Sequence, residues 1–254
     1  MRETEGQSEA IILVKAFPNI SKNYVETVCC AGVTPQGEWV RLYPVTFRRL
    51  EDARKFDRWD RIRFKWRRPK DDQRPESFRV DQQSIEIIGE LPKTEREKFL
   101  GNLEITGLNA IAAQGKSLAL LRPKQPKFFI ESKTKEEIEQ ERNDYESILK
   151  QQDMFDKVLK PLEPCPYKFK YKYNTDDGLR EGTCQDWETS YTFFKWQKLY
   201  GEQQTLEKMK KVFGEEYPTK GMTFAMGTHS RYPDTWLING IIRMDEIRQF
   251  SLPL

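Results

Sequence analysis

The chain has 254 residues, of which 37% are hydrophobic, 12% aromatic and 33% charged, and its formal net charge is +3. This aromatic content excludes a disordered chain, and the length fits one large domain or two small ones. The apolar run at residues 10–14 is too short to cross a membrane, and the first nine residues do not have the pattern of a signal peptide. Four cysteines in a chain of this length do not indicate a disulfide framework. We therefore expect a cytoplasmic protein without a membrane partner.

Strands dominate the predicted structure of the first half. The β-rich runs cover residues 10–16, 24–33, 38–45, 59–68, 84–91, 117–121 and 127–130. Short helices are predicted over residues 47–56, 94–101 and 102–114, the second of them with a capping box at Thr94 and Glu97. Many strands and few helices favour a small barrel or a strongly curved sheet.

Helices are more frequent in the second half. A capping box at Thr134 and Glu137 predicts a helix to about residue 150. Further strands are predicted over 167–173, 223–227 and 235–243, and further helices over 187–200 and 205–213.

These elements predict an α+β fold, with a strand-rich N-terminal small barrel or curved sheet and a mixed α/β C-terminal part. Prolines at positions 161, 164 and 166 indicate a boundary before the C-terminal part. We place a basic strand-rich domain at residues 10–130, an acidic connecting helix at 131–160 and an α+β domain at 161–254. The sequence has no detectable internal repeat.

Two predicted strands carry rows of like charge. The cations are Arg61, Arg63, Lys65 and Arg67 in one strand and Lys168, Lys170 and Lys172 in the other, and they alternate with apolar or aromatic residues. Side chains on one face of a strand lie roughly 6.6–6.8 Å apart, so each row is self-repulsive. A polyanion relieves this repulsion, and phosphate contacts also release counterions. We predict that the seven cations bind a nucleic-acid backbone; a solvated face, or neutralisation by the acidic helix, is the alternative.

Aromatic residues near these cations are candidates for base stacking. They are Trp39, Tyr43, Trp59 and the row from Tyr167 to Tyr173. Aromatic residues that alternate with lysine normally face a core, which is the alternative for each of them.

Four carboxylates near the second lysine row suggest a catalytic metal site. Asp176, Asp177, Asp186 and Glu188 have the oxygen ligands that Mg²⁺ prefers, and a bound Mg²⁺ would assist phosphodiester cleavage. We expect no other cofactor. The structural alternative is that Asp186 caps the helix over residues 187–200, while Glu188 in its first turn complements the helix dipole. The Glu131-Ser132-Lys133 segment has the spacing of some nuclease sites but no paired upstream aspartate.

His229 is the only histidine and lies in a loop that also holds Arg231. It is a candidate general acid or base beside Asp186 and Glu188, or a phosphate contact together with Arg231. The alternative is a histidine that only bonds loop carbonyl groups.

Several segments together resemble an uncharacterised family of prokaryotic proteins of this length. They are Lys15-Ala16-Phe17-Pro18, Glu38-Trp39-Val40-Arg41-Leu42-Tyr43-Pro44-Val45, Arg74-Pro75-Glu76-Ser77-Phe78-Arg79, Asp186-Trp187-Glu188 and Gly227-Thr228-His229. The resemblance runs from about residue 10 to residue 243 and implies no established activity. In that family Gly-His commonly precedes Asp-Trp-Glu, whereas this chain has Gly182-Thr183, a departure that weakens a metal role. The strand over residues 39–44 is also similar to strands of small PUA- or ASCH-like barrels that bind RNA.

The leading prediction is a nucleic-acid-binding protein that contacts backbone and shape. It would serve as an accessory subunit or effector, beside other protein subunits, in a nucleic-acid-processing or defence system. One alternative is a metal-dependent nuclease that uses the four carboxylates. The second alternative is a protein-interaction module whose cations bind an acidic partner.

Overall fold

The computed structural model describes residues 3–16, 18–21, 25–149, 162–229 and 232–243. Its strands are β1 (Glu5–Lys15), β2 (Asn19–Ser21), β3 (Val25–Val33), β4 (Trp39–Val45), β5 (Asp60–Arg67), β6 (Ser77–Glu90), β7 (Glu104–Ile105), β8 (Leu118–Leu121), β9 (Lys124–Ser132), β10 (Tyr167–Thr175), β11 (Gly178–Thr183), β12 (Met222–Thr228) and β13 (Trp236–Arg243). Its α-helices are α1 (Lys93–Gly101), α2 (Asn109–Ala113), α3 (Lys135–Leu149), α4 (Trp187–Tyr200), α5 (Glu202–Lys211) and α6 (Tyr217–Lys220). The predicted α+β class is confirmed. Within these ranges no helix is long and apolar enough to span a membrane.

The N-terminal sheet closes on itself. Its strands pair in the order β1-β5-β6-β4-β3, β1 also pairs with β3, and the short β2 extends the sheet beyond β3. The period-two pattern of β5 directs Ile62, Phe64 and Trp66 into the barrel, where Trp66 stacks on Phe78 of β6 at 4.2 Å between ring centroids. The predicted small barrel is therefore confirmed.

The strand order identifies the kind of barrel. Apart from β2, the barrel strands in chain order are β1, β3, β4, β5 and β6. The third and the fifth of these, β4 and β6, pair in parallel, and all other neighbours are antiparallel. A five-stranded Greek-key barrel of this order is an OB fold. The PUA-like barrel that the resemblance implied is not confirmed.

The C-terminal half contains two smaller sheets around a second core. One sheet has the order β11-β10-β9, and the other has the order β13-β12-β8-β7. Strand β8 pairs with β12, β9 pairs with β10, and β7 pairs with β8, so that the pairing changes after α1 and not at residue 130. Helix α3 connects β9 to β10 within this half, and residues 150–160 of the predicted connecting helix lie outside the described residues.

Some predicted elements differ from the observed ones because tertiary pairing overrides the local pattern. Residues 47–56, predicted as a helix, contain two 3₁₀ turns, Phe47–Arg49 and Asp52–Arg54. The strand predicted to begin at residue 84 begins at Ser77, as β6, because its first residues pair with β4. Residues 102–114, predicted as one helix, contain β7 and the short α2. Helix α1 begins after Pro92 without a side-chain cap, so the capping box predicted at Thr94 and Glu97 is wrong.

The capping box of α3 is confirmed. The Thr134 amide donates to Glu137 Oε2 at 3.0 Å, and the Glu137 amide donates to Thr134 Oγ1 at 3.2 Å.

The two halves share a third hydrophobic core. Its members come from the outer side of the barrel and from the facing C-terminal sheet, and they include Leu13, Val33, Leu118, Leu120 and Ala225. Because burial of such side chains is the main favourable term in folding, this core holds the halves in one arrangement.

Barrel closure can be tested at Gly32, where β3 pairs with β1. A Cβ atom at this position would lie 2.5 Å from the carbonyl oxygen of Ile11, which is backbone and cannot rotate away. We expect Gly32→Ala to lower the free energy of unfolding by about 1–3 kcal/mol, measured by urea denaturation. Gly101→Ala is the matched control, because no atom lies within 4 Å of its Cβ position. Equal midpoints for the wild type and Gly32→Ala would contradict the closed barrel.

Candidate functional site

The cations of β5 lie on the outside of the barrel, but the surrounding face carries both signs of charge. Arg63 forms ion pairs with glutamates on the two neighbouring strands, at 2.9 and 3.4 Å. Arg61 is partly buried, and its Nε has no hydrogen-bond partner within the described ranges. Lys65 and Arg67 are exposed and form no ion pair with any residue that the structure describes. The end of the row near Arg67 is therefore the part most open to a ligand.

The lysines of β10 are largely neutralised within the molecule. Lys168 Nζ lies 2.6 Å from Glu137 Oε1 in α3, and Lys170 Nζ lies 2.7 Å from Glu131 Oε2 in β9. These hydrogen bonds raise the pKa of both lysines. Lys172 is exposed and has no ion-pair partner among the described residues. Internal neutralisation, the alternative that the sequence left open, thus applies to two of the three lysines.

The four carboxylates considered for Mg²⁺ lie at opposite ends of β11. Asp176 pairs with Lys124 and Asp177 accepts from the Asn109 amide at 2.9 Å, both near the start of the strand. The other two follow the strand and begin α4. Six extended residues span roughly 20 Å, whereas oxygen ligands lie about 2–2.6 Å from a shared cation. The four groups therefore do not fit one metal ion, and the described residues contain no cluster of three His, Cys, Asp or Glu suited to a metal.

Asp186 joins three elements in the interior. Its carboxylate accepts from the Glu188 amide at 2.9 Å as the N-cap of α4, and from the Ile241 amide at 2.7 Å. Arg58, from the barrel, lies 3.4 Å from the same carboxylate and donates to the Ile241 carbonyl at 2.7 Å. The residue is 3% exposed, and this burial raises the pKa of Asp186 to about 6. This is the cap arrangement, and it leaves the carboxylate little room for a ligand.

His229 lies far from Asp186. Its backbone amide donates to the Thr235 carbonyl at 3.1 Å, and its ring centroid lies 5.2 Å from that of Tyr232. Thr228 pairs with Trp236 at one end of β13, while Ile241 and its partner Asp186 lie five residues further along, roughly 17 Å away. The three residues considered for catalysis are therefore not brought together. Arg231 lies outside the described residues.

Three of the segments that carry the family resemblance meet beside the barrel. Arg41 is buried and donates to Ser117 Oγ at 3.0 Å and to the Ser117 carbonyl at 3.2 Å. Glu76 accepts from the Ser117 amide at 2.7 Å, and Arg74 Nη1 donates to the Thr228 carbonyl at 2.8 Å. This network connects the barrel to β8 and β12, and burial lowers the pKa of Arg41.

A basic and aromatic surface lies next to this network. Arg67 is paired with Arg79 across β5 and β6, and Arg79 is paired with Tyr43 across β6 and β4. Paired residues share a face and strands are about 4.8 Å apart, so the three side chains form one row on the outside of the barrel. Tyr43 is 38% exposed. Together with the loop at residues 68–76, this row is called the β4–β6 face below. The loop carries three cations (Arg68, Lys70 and Arg74) and three carboxylates (Asp71, Asp72 and Glu76), and Arg79 Nη1 lies 3.8 Å from Asp71 Oδ1.

The sequence indicated only part of the β4–β6 face. The sequence predicts Arg67 as a phosphate contact and Tyr43 as a candidate for base stacking. It gives no such role to Arg79, which belongs only to a segment of the family resemblance. Of the other stacking candidates, Trp39 and Trp59 are half-buried, and Tyr171 and Tyr173 are buried in the C-terminal core. The alternative of a core position therefore holds for these two tyrosines.

Family comparisons agree with the division seen in the strand pairing. Residues 6–102 match the model described as Domain of unknown function (DUF8758), and residues 104–253 match the one described as Domain of unknown function (DUF8757). The second match covers more than half of the chain, so the chain belongs to the DUF8757 family. The predicted membership of an uncharacterised family is thus confirmed.

Other comparisons add little. No match is found among curated proteins. A solved structure titled "Molecular basis for abrogation of activation of pro-inflammatory cytokines" is similar over 72% of this chain and 76% of that chain, with 10% identity and a TM-score of 0.31. A similarity this low supports no argument about fold or function.

Asp186→Asn tests the interior role of Asp186. Asparagine still caps a helix but does not titrate. Because the folded-state pKa of Asp186 is raised above the usual value of about 3.9, the folded state binds the proton more tightly, and this group lowers the free energy of unfolding as the pH rises from 4 to 6. We therefore expect the difference in the free energy of unfolding, wild type minus Asp186→Asn, to fall by about 1–3 kcal/mol between pH 4 and pH 6. Urea denaturation at each pH measures this difference.

Asp176→Asn is the control for this experiment. The hydrogen bond from Lys124 lowers the pKa of Asp176, so the difference in the free energy of unfolding between the wild type and Asp176→Asn should rise, and not fall, as the pH increases. A difference for Asp186→Asn that is independent of pH would contradict the assigned burial.

Proposed function

We propose that the protein binds single-stranded nucleic acid, DNA or RNA, on the β4–β6 face. The observation that supports this most directly is the row of Arg67, Arg79 and Tyr43 on the outside of a closed barrel. Two guanidinium groups beside a partly exposed aromatic ring are the combination that single-strand-binding surfaces use. The cations contact phosphates, and the ring stacks on a base of any identity.

The loop at residues 68–76 holds its three cations in defined positions, beside an equal number of carboxylates. Arg68 donates to the Pro75 carbonyl at 2.7 Å, and its guanidinium lies 4.5 Å from the Phe78 ring centroid. Arg74 is paired with Asp72 at 2.6 Å and reaches Thr228. We regard these two arginines as positioning residues that hold the loop, with the exposed Lys70 adding positive potential.

The barrel topology supports the same location. In OB folds the second and third strands and the loop between the fourth and fifth bind oligonucleotides and oligosaccharides. The corresponding elements are β3, β4 and the loop at residues 68–76. Part of the outer side of β3, including Ala31 and Val33, is covered by the C-terminal half, so the end of β4 near Tyr43 is the part left for a ligand. This support is an analogy of fold and adds to the side-chain argument.

Binding without cleavage is proposed because the four carboxylates of the nuclease alternative lie at opposite ends of β11. The role of an accessory subunit or effector beside other proteins stays part of the proposal.

An acidic protein partner is the second candidate, and helix α4 favours it. Tyr191 and Leu199 are 61% and 63% exposed on this helix. Lys195 and Lys198 lie between them, are exposed, and form no ion pair within the part of the chain that the structure describes. Exposed apolar side chains among cations are typical of a protein-binding surface.

Two substitutions test the proposed interface. Tyr43→Ala removes a stacking ring and should weaken binding by about 1–3 kcal/mol. Arg79→Gln removes one phosphate contact and should reduce the slope of log K against log salt by about 0.7. Both are measured by fluorescence anisotropy with labelled oligo-dT and oligo-U of about 12 nucleotides, within the usual site size of one OB fold.

Lys195→Gln on α4 is the matched control, because it removes one exposed cation far from the proposed contacts in sequence. We expect its affinity and salt slope to equal those of the wild type. Wild-type affinity that stays constant between about 50 and 200 mM salt would overturn the proposal, as would a normal affinity for Tyr43→Ala.

A further inference from the structure

The C-terminal half repeats the strand order of the N-terminal barrel. Strands β8 and β9 are separated only by Arg122 and Pro123 and act as one bent strand, which pairs with β12 through β8 and with β10 through β9. Strand β10 pairs with β11, and β12 pairs with β13, both antiparallel. A parallel bridge between Cys184, just after β11, and Ile238 in β13 joins the remaining neighbours.

This pairing gives the order found in the first barrel. With β8–β9 as the first strand, the others in chain order are β10, β11, β12 and β13, and the third and fifth again meet in parallel. Helices α4 to α6 lie between the third and fourth strands, where the first barrel has its two 3₁₀ turns. Phe169, Tyr171 and Phe224 fill the interior beneath Phe193 of α4. Through this single bridge, the two C-terminal sheets together reproduce the strand order of an OB barrel.

The outer side of β9 to β11 corresponds to the side of an OB barrel that binds ligands. Lys127 and Lys172 are directly opposite each other there, and neither forms an ion pair with a described residue. Lys170 Nζ lies 5.9 Å from the centroid of the half-buried Phe129 ring. These four residues are called the β9–β11 face, and two carboxylates, Glu131 and Glu181, lie beside its lysines. It combines cations with an aromatic ring, as the β4–β6 face does.

The surroundings of the β9–β11 face leave room for a ligand. A pocket of about 620 Å³ lies at one end of it, and its lining includes three lysines (Lys133, Lys168 and Lys170) and three carboxylates (Glu141, Asp144 and Glu163). This volume is in the range of small-ligand sites. Lys170 is paired with Glu131 at 2.7 Å and with Glu181 at 3.5 Å. Both pairs are partly exposed, and because exposed pairs contribute little to stability in water, phosphate oxygens can compete with these carboxylates.

We propose that the β9–β11 face is a second site for the same single strand of nucleic acid, so that one strand contacts both halves of the chain. This proposal rests on the function proposed above. An OB fold covers about 4–16 nucleotides, so a long oligonucleotide engages both faces while a short one engages one face at a time. Engagement of both faces raises the affinity without any new kind of contact.

The test uses the full chain with labelled oligo-dT of about 8 and about 24 nucleotides, lengths chosen to fit one face or both. The substitutions are Lys127→Glu with Lys172→Glu, which place two carboxylates on the β9–β11 face. We expect the wild type to bind the longer oligonucleotide at least tenfold more tightly than the shorter one, and the double variant to lose most of this difference. Affinity for the shorter oligonucleotide should fall less than twofold, because the β4–β6 face still binds it.

Lys210→Glu with Lys211→Glu on α5 is the matched control, because both side chains are exposed and belong to neither face, and it should bind both lengths as the wild type does. Both double variants change only exposed side chains, and circular dichroism checks that their fold is retained. Unchanged affinity of the Lys127/Lys172 variant for the longer oligonucleotide, with Tyr43→Ala still impaired, would overturn only the second site. Absence of wild-type binding to both lengths would overturn this proposal and the proposed function together.

Discussion

Pairing between β1 and β3 closes the N-terminal barrel, and the positions of the other groups depend on this closure. A closed sheet fixes the register of each strand, and a slip of one residue would exchange the inner and outer faces. In the observed register Phe64 and Trp66 fill the interior, while Arg67 lies outside beside Arg79 and Tyr43. The proposed interface is thus a consequence of closure and strand order, since its three residues come from three separate strands.

The junction between the barrel and the C-terminal half is a second constraint. Arg41 is a buried cation, and burial of an unpaired charge would be strongly unfavourable. Ser117 accepts both of its hydrogen bonds and also donates to Glu76, so the charge is accommodated only when β8 lies against the barrel. On the other side of the junction, Arg58 reaches Asp186 and Ile241. The resemblance segments around these residues therefore hold the barrel against the C-terminal half and fix how their outer faces are presented.

Local patterns predicted much of the fold, and contacts distant in sequence account for most of what was missed. The period of two in β5 and β10, the α3 capping box and the Asp186 cap all depend on residues a few positions apart. The glutamate partners of Lys168 and Lys170, by contrast, come from α3 and β9, more than thirty positions away. The strand order shared by the two halves was also not predicted, because it requires only alternation and turns at suitable places, and two sequences can satisfy this without resembling each other.

The most direct test of the central claim is a map of where the nucleic acid lies. Photo-crosslinking of the wild-type protein to an oligonucleotide containing 4-thiouridine, followed by mass spectrometry of the peptides, measures this without any substitution. The account predicts crosslinks at Tyr43 and in the loop at residues 68–76. Crosslinks confined to α4, or to the end of β5 near Arg61, would contradict it.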